Sequence, residues 1–227
     1  MRALRWMEWF EVGAEGESPN WEEQGGGVTP LVVPGVPVEE RRHSRVLQSP
    51  LVCPRAGILL HYDDSTRDDW AVAWFSDPRC ANGYTWLVLD DGRVVELADP
   101  AFRTPHAGPC RTANANSAFY GVSAATNGVV PATEAQVAAI VAACVGVFRY
   151  HGWSWMETED RIRGHDGEAV WTPAYTRAAG MSDESGRVLW GGVGRKVDPT
   201  GVRRDGVSII DAECVRAVVA VRLRDAL

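Results

Sequence analysis

The sequence predicts an α/β (α+β) fold, a central mixed β-sheet flanked by helices. Three observations predict it. Residues 56–61, AGILLH, form a short apolar run with the length of a buried strand, ending in a polar residue. Residues 84–89 and 94–97 are two β-prone runs joined across Asp90-Asp91-Gly92-Arg93, which is a hairpin signal. Thr133-Glu134-Ala135-Gln136 has the form of a capping box and opens a long amphipathic segment.

Taken in order, residues 1–50 read as a Gly/Pro-rich arm, with GEGESPN, QGGGVTP and VVPGVPVEERR but no sustained period. Trp6, Trp9, Phe10 and Trp21 are expected to tuck this arm against the main domain, because large aromatics are usually buried. The domain itself is expected to span residues 51–227. After the first strand, residues 65–75 suit a short helix with Ser65 as its cap and Asp68 three positions on. Residues 119–125 are a further strand. The helix from Thr133 runs to about Tyr150 and stops at Gly152, with Val137, Ile140, Val141, Cys144, Val145 and Phe148 on one face. A Gly-rich connection covers about 164–206, and a second amphipathic helix closes the chain over about 210–224. No internal repeat is present.

Composition excludes several classes. Of 227 residues, 45% are apolar and 23% charged, an ordinary globular balance. The net charge of −7 argues against holding nucleic acid by phosphate neutralisation. No apolar run approaches the ~18 residues of a membrane span. The opening MRALRWMEWFEVGAEGE lacks the uninterrupted apolar core of a signal peptide, so synthesis in the cytoplasm is expected. Cys53, Cys80, Cys110, Cys144 and Cys214 are five scattered thiols without a C-x-x-C, which fits a reducing compartment. Among 23 basic residues only Lys196 is a lysine. A compact, rotatable ammonium is not replaceable by a planar guanidinium, so this position is a candidate for a required point charge.

Three groups stand out for chemistry. His61 closes an apolar strand, His165 lies in Arg-Ile-Arg-Gly-His-Asp, and Asp198 lies in Arg-Lys-Val-Asp-Pro-Thr-Gly. Strand ends and loops are where a scaffold presents functional groups. Two imidazoles and a carboxylate suit a catalytic zinc, leaving the fourth tetrahedral position for water. No H-E-x-x-H is present. A phosphate loop at Gly191–Lys196 fails because Val197 stands where Ser or Thr must follow the lysine. A cysteine peptidase using Cys80 or Cys110 with His106 remains as a further alternative.

The segments in their order resemble the type 2 N-acetylmuramoyl-L-alanine amidase family, which includes phage endolysins, muropeptide amidases and peptidoglycan recognition proteins. The resemblance covers about residues 55–205. It rests on Ile58-Leu59-Leu60-His61, on Gly83-Tyr84 through Gly92, and on His106-Ala107-Gly108 with Asn116-Ser117 and Tyr120-Gly121-Val122. It continues with Thr133 to Gln136, Gly164-His165, and Lys196-Val197-Asp198-Pro199-Thr200-Gly201. It implies a Zn2+ cofactor held by His61, His165 and Asp198, with Tyr84 and Lys196 assisting catalysis. His106, Asn116 and Trp86 fall in the matching segments and are expected to contact substrate.

The implied activity is hydrolysis of the amide between N-acetylmuramic acid and L-alanine of peptidoglycan by a monomeric, phage-type lysin, without nucleic acid or membrane insertion. It would act at the cell wall after release or export. A non-catalytic peptidoglycan-binding module is the competing expectation. Two departures matter. Ser123 stands where some members carry a Glu, so a mechanism using that carboxylate is not expected. Residues 166–197, 32 in all, separate His165 from Asp198, and the insert at about 167–193 is expected to project near the metal.

Overall fold

The structure is a computed structural model and describes residues 31–43, 49–63, 65, 67–77, 79–80, 82–108, 110–126, 130–165 and 209–226. Lys196, Asp198, the insert at about 167–193 and the aromatic residues expected to anchor the arm lie outside the described residues.

A six-stranded mixed sheet forms the centre, in the order β1-β5-β4-β7-β3-β8. Its strands are β1 (Val38–Arg41), β3 (Gly57–Tyr62), β4 (Trp86–Val88), β5 (Val94–Glu96), β7 (Phe119–Ala124) and β8 (Ile162–Gly164). β2 (Ser49–Pro50) and β6 (Phe102–Arg103) pair separately. Strands β4 and β5 are the expected antiparallel hairpin; the other pairings of the six-stranded sheet are parallel. Gly92 closes the hairpin turn at φ +88°, in the left-handed region, where glycine avoids the usual side-chain clash. The class and its flanking helices are as the sequence predicted.

Period-2 alternation sorts the strand residues between two faces. Ile58, Leu60, Trp86, Val88, Tyr120 and Val122 point into a large core shared with α3 (Glu134–His151) and α5 (Ala212–Arg224). On the other face Leu87 and Val95 pack with α1 (Asp68–Ser76), and Leu59 and Phe119 with α2 (Ala115–Ala118). A 3-10 turn (Trp155–Glu157) and α4 (Thr158–Arg161) lead into β8. His61 shares the parity of Leu59, so it belongs to the α1/α2 face, at the carboxyl end of β3.

The capping box of α3 has both halves. Gln136 N donates to Thr133 Oγ1 at 3.0 Å, and Thr133 N donates to Gln136 Oε1 at 2.9 Å. The buried Gln136 amide also donates to the carbonyls of Val88 and Ala125, tying the helix start to β4 and β7. The helix stops at Gly152, φ +65°.

Two expectations need correction. The first helix begins at Asp68, not Ser65, because Ser65 Oγ accepts from Arg67 N and donates to Arg67 O, turning the chain before the helix. The apolar residues of α3 are not confined to one stripe, since residues 139–141 and 143–148 are all buried. The extra cover comes from residues 33–36, which cross the helix at Gly146. Part of the expected arm also enters the sheet, with Val38–Arg41 as its edge strand. Glu96, 1% exposed, fastens that strand: Oε1 takes Arg41 Nε and His43 Nε2, each at 2.9 Å, and Oε2 takes Trp86 Nε1 at 3.1 Å. A carboxylate this buried is tolerable because each oxygen is hydrogen-bonded.

At Gly146 an added Cβ would lie 2.6 Å from Val36 N and 2.7 Å from Gly35 C, both backbone atoms. Gly146→Ala is expected to destabilise the protein by about 1–3 kcal/mol through overpacking, measured as a fall in the urea midpoint at unchanged m-value.

Candidate functional site

Parallel strands β3, β7 and β8 end together at one edge of the sheet, the edge at which open α/β sheets bind ligands. The register pairs Leu60 with Gly164 and His61 with Ser123. His165 directly follows β8, so the sheet delivers it beside His61. Both imidazoles are buried, at 1% and 2% exposure.

Four contacts define the state of these rings. His165 Nε2 lies 2.6 Å from the Ala107 carbonyl oxygen, and His106 Nε2 lies 3.2 Å from the Phe119 carbonyl oxygen. A carbonyl only accepts, so each of those nitrogens carries the hydrogen. His61 Nε2 lies 3.0 Å from His106 Nδ1, and His61 Nδ1 lies 3.1 Å from His165 Nδ1. Burial holds the His106 pKa well below 6.5, reinforced by the neighbouring imidazoles and by Arg55, so His106 is neutral. Its Nδ1 then accepts, and His61 can direct a hydrogen from Nε2 to His106 or from Nδ1 to His165. Either way the Nδ1 edges of His61 and His165 face one another across 3.1 Å.

Two imidazole nitrogens converging at one point are the chemistry of a cation site. Nitrogen ligands bound at 2.0–2.1 Å to one tetrahedral zinc stand about 3.3 Å apart, close to the observed 3.1 Å. The two His–carbonyl and His–His bonds behind them are the outer partners that orient metal-binding imidazoles. The donor set therefore fits zinc. Among the described residues no group of three His, Cys, Asp or Glu side chains capable of holding a metal is assembled. Of the three expected ligands, His61 and His165 are brought side by side; Asp198 lies outside the described residues.

Tyr84 joins this pair. Its ring centroid is 5.0 Å from that of His61, and it packs edge-on against Phe75 of α1 at 5.2 Å. Its hydroxyl reaches the Tyr62 carbonyl at 3.4 Å.

The expected substrate contacts fall differently. Trp86 is fully buried in the core, on the face opposite His61, with its indole N–H on Glu96; it cannot touch substrate from there. His106 sits behind His61, both ring nitrogens engaged as described. Asn116 Oδ1 accepts from His106 N at 3.0 Å and Ala107 N at 2.8 Å, shaping the loop that presents the Ala107 carbonyl. On its other side Asn116 lines a pocket of about 270 Å3 with Arg103, Gly108, Cys110 and Asn114. The Ser123 hydroxyl, fully buried, bonds the Ala124 carbonyl at 3.4 Å and is no substitute for a carboxylate base.

The cysteine-peptidase alternative loses its pieces. Cys80 is buried, which raises its thiol pKa, and its Sγ points to Asn82 O. The Cys110 thiol donates to Ala107 O, while His106 is committed to His61 and Phe119.

Sequence reasoning missed Arg55. Its guanidinium donates to the carbonyls of Ser117, Phe119, Pro100 and Phe102, and stacks 4.2 Å over the Tyr120 ring. Its place directly before the first strand, Arg55-Ala56-Gly57, was the only available hint.

A mixed sheet with an imidazole pair at its parallel-strand edge is an α/β arrangement with a candidate site where such sheets bind ligands. The same fold is found in a selenomethionine derivative of AmpD, at 17% identity and TM-score 0.50, covering 67% of this chain and 99% of that one. Weaker likenesses include a mutant endolysin from Bacillus subtilis (14% identity, TM-score 0.46, 57% and 84% covered). Another is the Staphylococcus aureus hydrolase AmiA in complex with its ligand (16%, TM-score 0.45, 64% and 70%). No curated protein matches the sequence. The model of the N-acetylmuramoyl-L-alanine amidase family matches residues 53–200, and the chain belongs to that family. Membership sets its coarse class, an amidase directed at peptidoglycan.

Gly121 of β7 makes room for the ring behind the site. A Cβ there would lie 2.8 Å from His106 Cγ. Gly121→Ala is expected to push that ring aside and cost about 1–3 kcal/mol of stability, read by thermal or urea unfolding against Gly152→Ala. Gly152 has nothing within 4 Å of an added Cβ, so its cost comes only from the left-handed backbone.

Proposed function

We propose that this chain is a zinc-dependent N-acetylmuramoyl-L-alanine amidase that hydrolyses the amide between N-acetylmuramic acid and L-alanine. The observation that carries the reading is the approach of the buried His61 and His165 Nδ1 atoms to 3.1 Å at the parallel-strand edge of the sheet. His61 and His165, with Asp198, would hold the zinc. When bound, zinc supplies Lewis acidity that activates water and polarises a carbonyl.

The protein's own groups do the rest. The Ala107 carbonyl and His106 fix the two imidazoles so that they need not reorganise on loading. Tyr84, against His61, presents a phenol that hydrogen-bonds the reacting oxygen or the water. The Lys196 ammonium stabilises the negative charge that develops on the scissile carbonyl oxygen. With Ser123 in place of a carboxylate, no base is supplied from β7, and the Tyr84 and Lys196 pair carries the assisting roles. The substrate is peptidoglycan or a muropeptide, met by a monomer at the cell wall in a lysin of phage type.

Metal analysis of purified protein is expected to give one zinc per chain, and the protein is expected to release stem peptides from purified cell walls, seen as new L-alanine amino groups. His165→Ala should lose the zinc. Lys196→Ala should keep the metal and lose about 10²–10³-fold in turnover, the scale of one lost oxyanion-stabilising group. Undiminished release after zinc removal would overturn the reading. Binding to walls with no release would make the chain a peptidoglycan-binding module.

A further inference from the structure

Helix α1 has a buried face and an exposed face, and the exposed one is aromatic. Ala71 and Phe75 pack with Leu87, Leu89, Val95 and Leu97, and Phe75 meets Tyr84 beside His61. Trp70 and Trp74, each one residue earlier, turn outward at 59% and 40% exposure. Trp70 is the most exposed Trp, Tyr or Phe among the described residues. Side chains four positions apart on a helix are neighbours. Ala73, also exposed, is too small to part the two rings. Scattered apolar residues on a surface are ordinary, whereas two indoles on successive turns form a contiguous strip.

The strip is framed by polar groups and rests on a fixed support. At its start Arg67 grips Asp69, Nε donating to Oδ1 at 2.9 Å and Nη2 to Oδ2. At its end Arg79 grips Asp77, Nε donating to Oδ1 at 3.0 Å and Nη2 to Oδ2 at 2.6 Å. Each pair cancels its own charge and still has donors and acceptor lone pairs to offer. The Asp68 carboxylate accepts from Asp90 N at 3.1 Å, which ties the helix to the β4–β5 turn.

We propose that Trp70 and Trp74 form an accessory platform for the glycan strand of peptidoglycan, on the outer face of the helix whose inner face backs the candidate site. The proposal rests on the peptidoglycan reading of that site. Three observations favour a sugar chain as the occupant. The faces of a sugar ring are C–H surfaces that lie flat on an indole, and its rim hydroxyls pair with carboxylates and guanidinium groups. Flat apolar rings with a polar fork at each end match that chemistry. Each arginine of the frame is matched by an aspartate, and the chain carries a net charge of −7, so an anionic lipid surface finds no attraction here. The two rings together expose at most about 250 Å2, far short of the ~800 Å2 per partner of a stable protein interface. A polymer one sugar wide needs no more.

The placement has a consequence for the reaction. A strand held on the outer face leaves Tyr84 and His61 unobstructed, while its stem peptides stay at high local concentration beside them.

Indole N–H signals in 1H–15N NMR spectra of the full chain, assigned with Trp70→Phe and Trp74→Phe, read the contact directly. Titration with a tetramer of N-acetylglucosamine, a neutral sugar chain without peptide, should shift the Trp70 and Trp74 signals together. The Trp86 signal, buried on Glu96, should stay in place. The double variant Trp70→Ala/Trp74→Ala, checked for an unchanged urea midpoint, should bind purified cell walls about tenfold more weakly. Its release of peptide from a soluble single-disaccharide muropeptide should stay within about twofold of wild type, because neither ring touches the site.

Unmoved Trp70 and Trp74 signals at millimolar saccharide would overturn the proposal, and this arm needs no variant to fold. Wall binding within about twofold of wild type in the folded double variant would overturn it as well. Shifts on phosphatidylglycerol vesicles but not on the saccharide would make the strip a membrane contact, and shifts with protein concentration alone would make it a contact between copies; either outcome sinks the glycan platform. If the wild type releases no stem peptide, the amidase reading fails, while the saccharide titration still decides the role of the two tryptophans.

Discussion

The Nδ1 atoms of two imidazoles are held 3.1 Å apart at the edge of the sheet. Both rings are nearly excluded from water. The surrounding structure has to supply the force that keeps them there. Part of it is the parallel register of β3 with β7 on one side and β8 on the other, which brings His61 and His165 to the same edge and the same face. The rest is the commitment of each ring's remote nitrogen. Neither ring can rotate without breaking a buried hydrogen bond, at a cost of about 1–3 kcal/mol for the group left unpaired.

The supports behind the rings are mostly main chain, and main chain has to be positioned by something else. Asn116 does this for Ala107, accepting two successive backbone N–H groups with one oxygen. Arg55 does it for Phe119, and at the same time for Ser117, Pro100 and Phe102. Burial lowers the Arg55 pKa to about 10, still far enough above neutrality to keep the guanidinium charged. A buried cation bonded to four carbonyls and lying over the Tyr120 ring is paired by dipoles and a π-face instead of by a carboxylate. Replacing it with a neutral residue would leave several carbonyls short of a donor at once. Arg55 thus links the start of β3, the β6 segment and the start of β7 to the floor of the site.

The framework was legible because its signals are local. The capping box, the hairpin turn and the apolar run ending at His61 each specify a structure from a few adjacent residues. Ser65 misled because serine before a helix caps it in one geometry and turns the chain in another, and the choice is made by φ and ψ. The edge strand Val38–Arg41 was hidden among glycines and prolines, and its acceptor, Glu96, lies 55 residues from Arg41. The two carbonyls that hold His165 and His106 are main chain, so no motif could have named them. His106 was singled out for the right neighbourhood, yet its relation to His61 depends on a ring-to-ring contact across 45 positions.

Trp86 shows why a matching motif does not by itself assign a side chain to a site. It sits two residues after Tyr84 in the same hairpin segment, and aromatic residues near a glycan enzyme's site invite the idea of contact. Register decides otherwise. Trp86 pairs with Val122, whereas His61 pairs with Ser123, one position on. Adjacent positions in a strand point to opposite faces, so Trp86 and His61 look away from each other through the sheet. Trp86 stacks on Tyr120 at 5.3 Å, and Tyr120 in turn lies beneath Arg55. Its contribution reaches the imidazole pair only through that stack, as packing that holds Arg55, and Arg55 holds the carbonyl on which His106 depends. One sheet thus separates a face of apolar bulk from a face of fixed polarity.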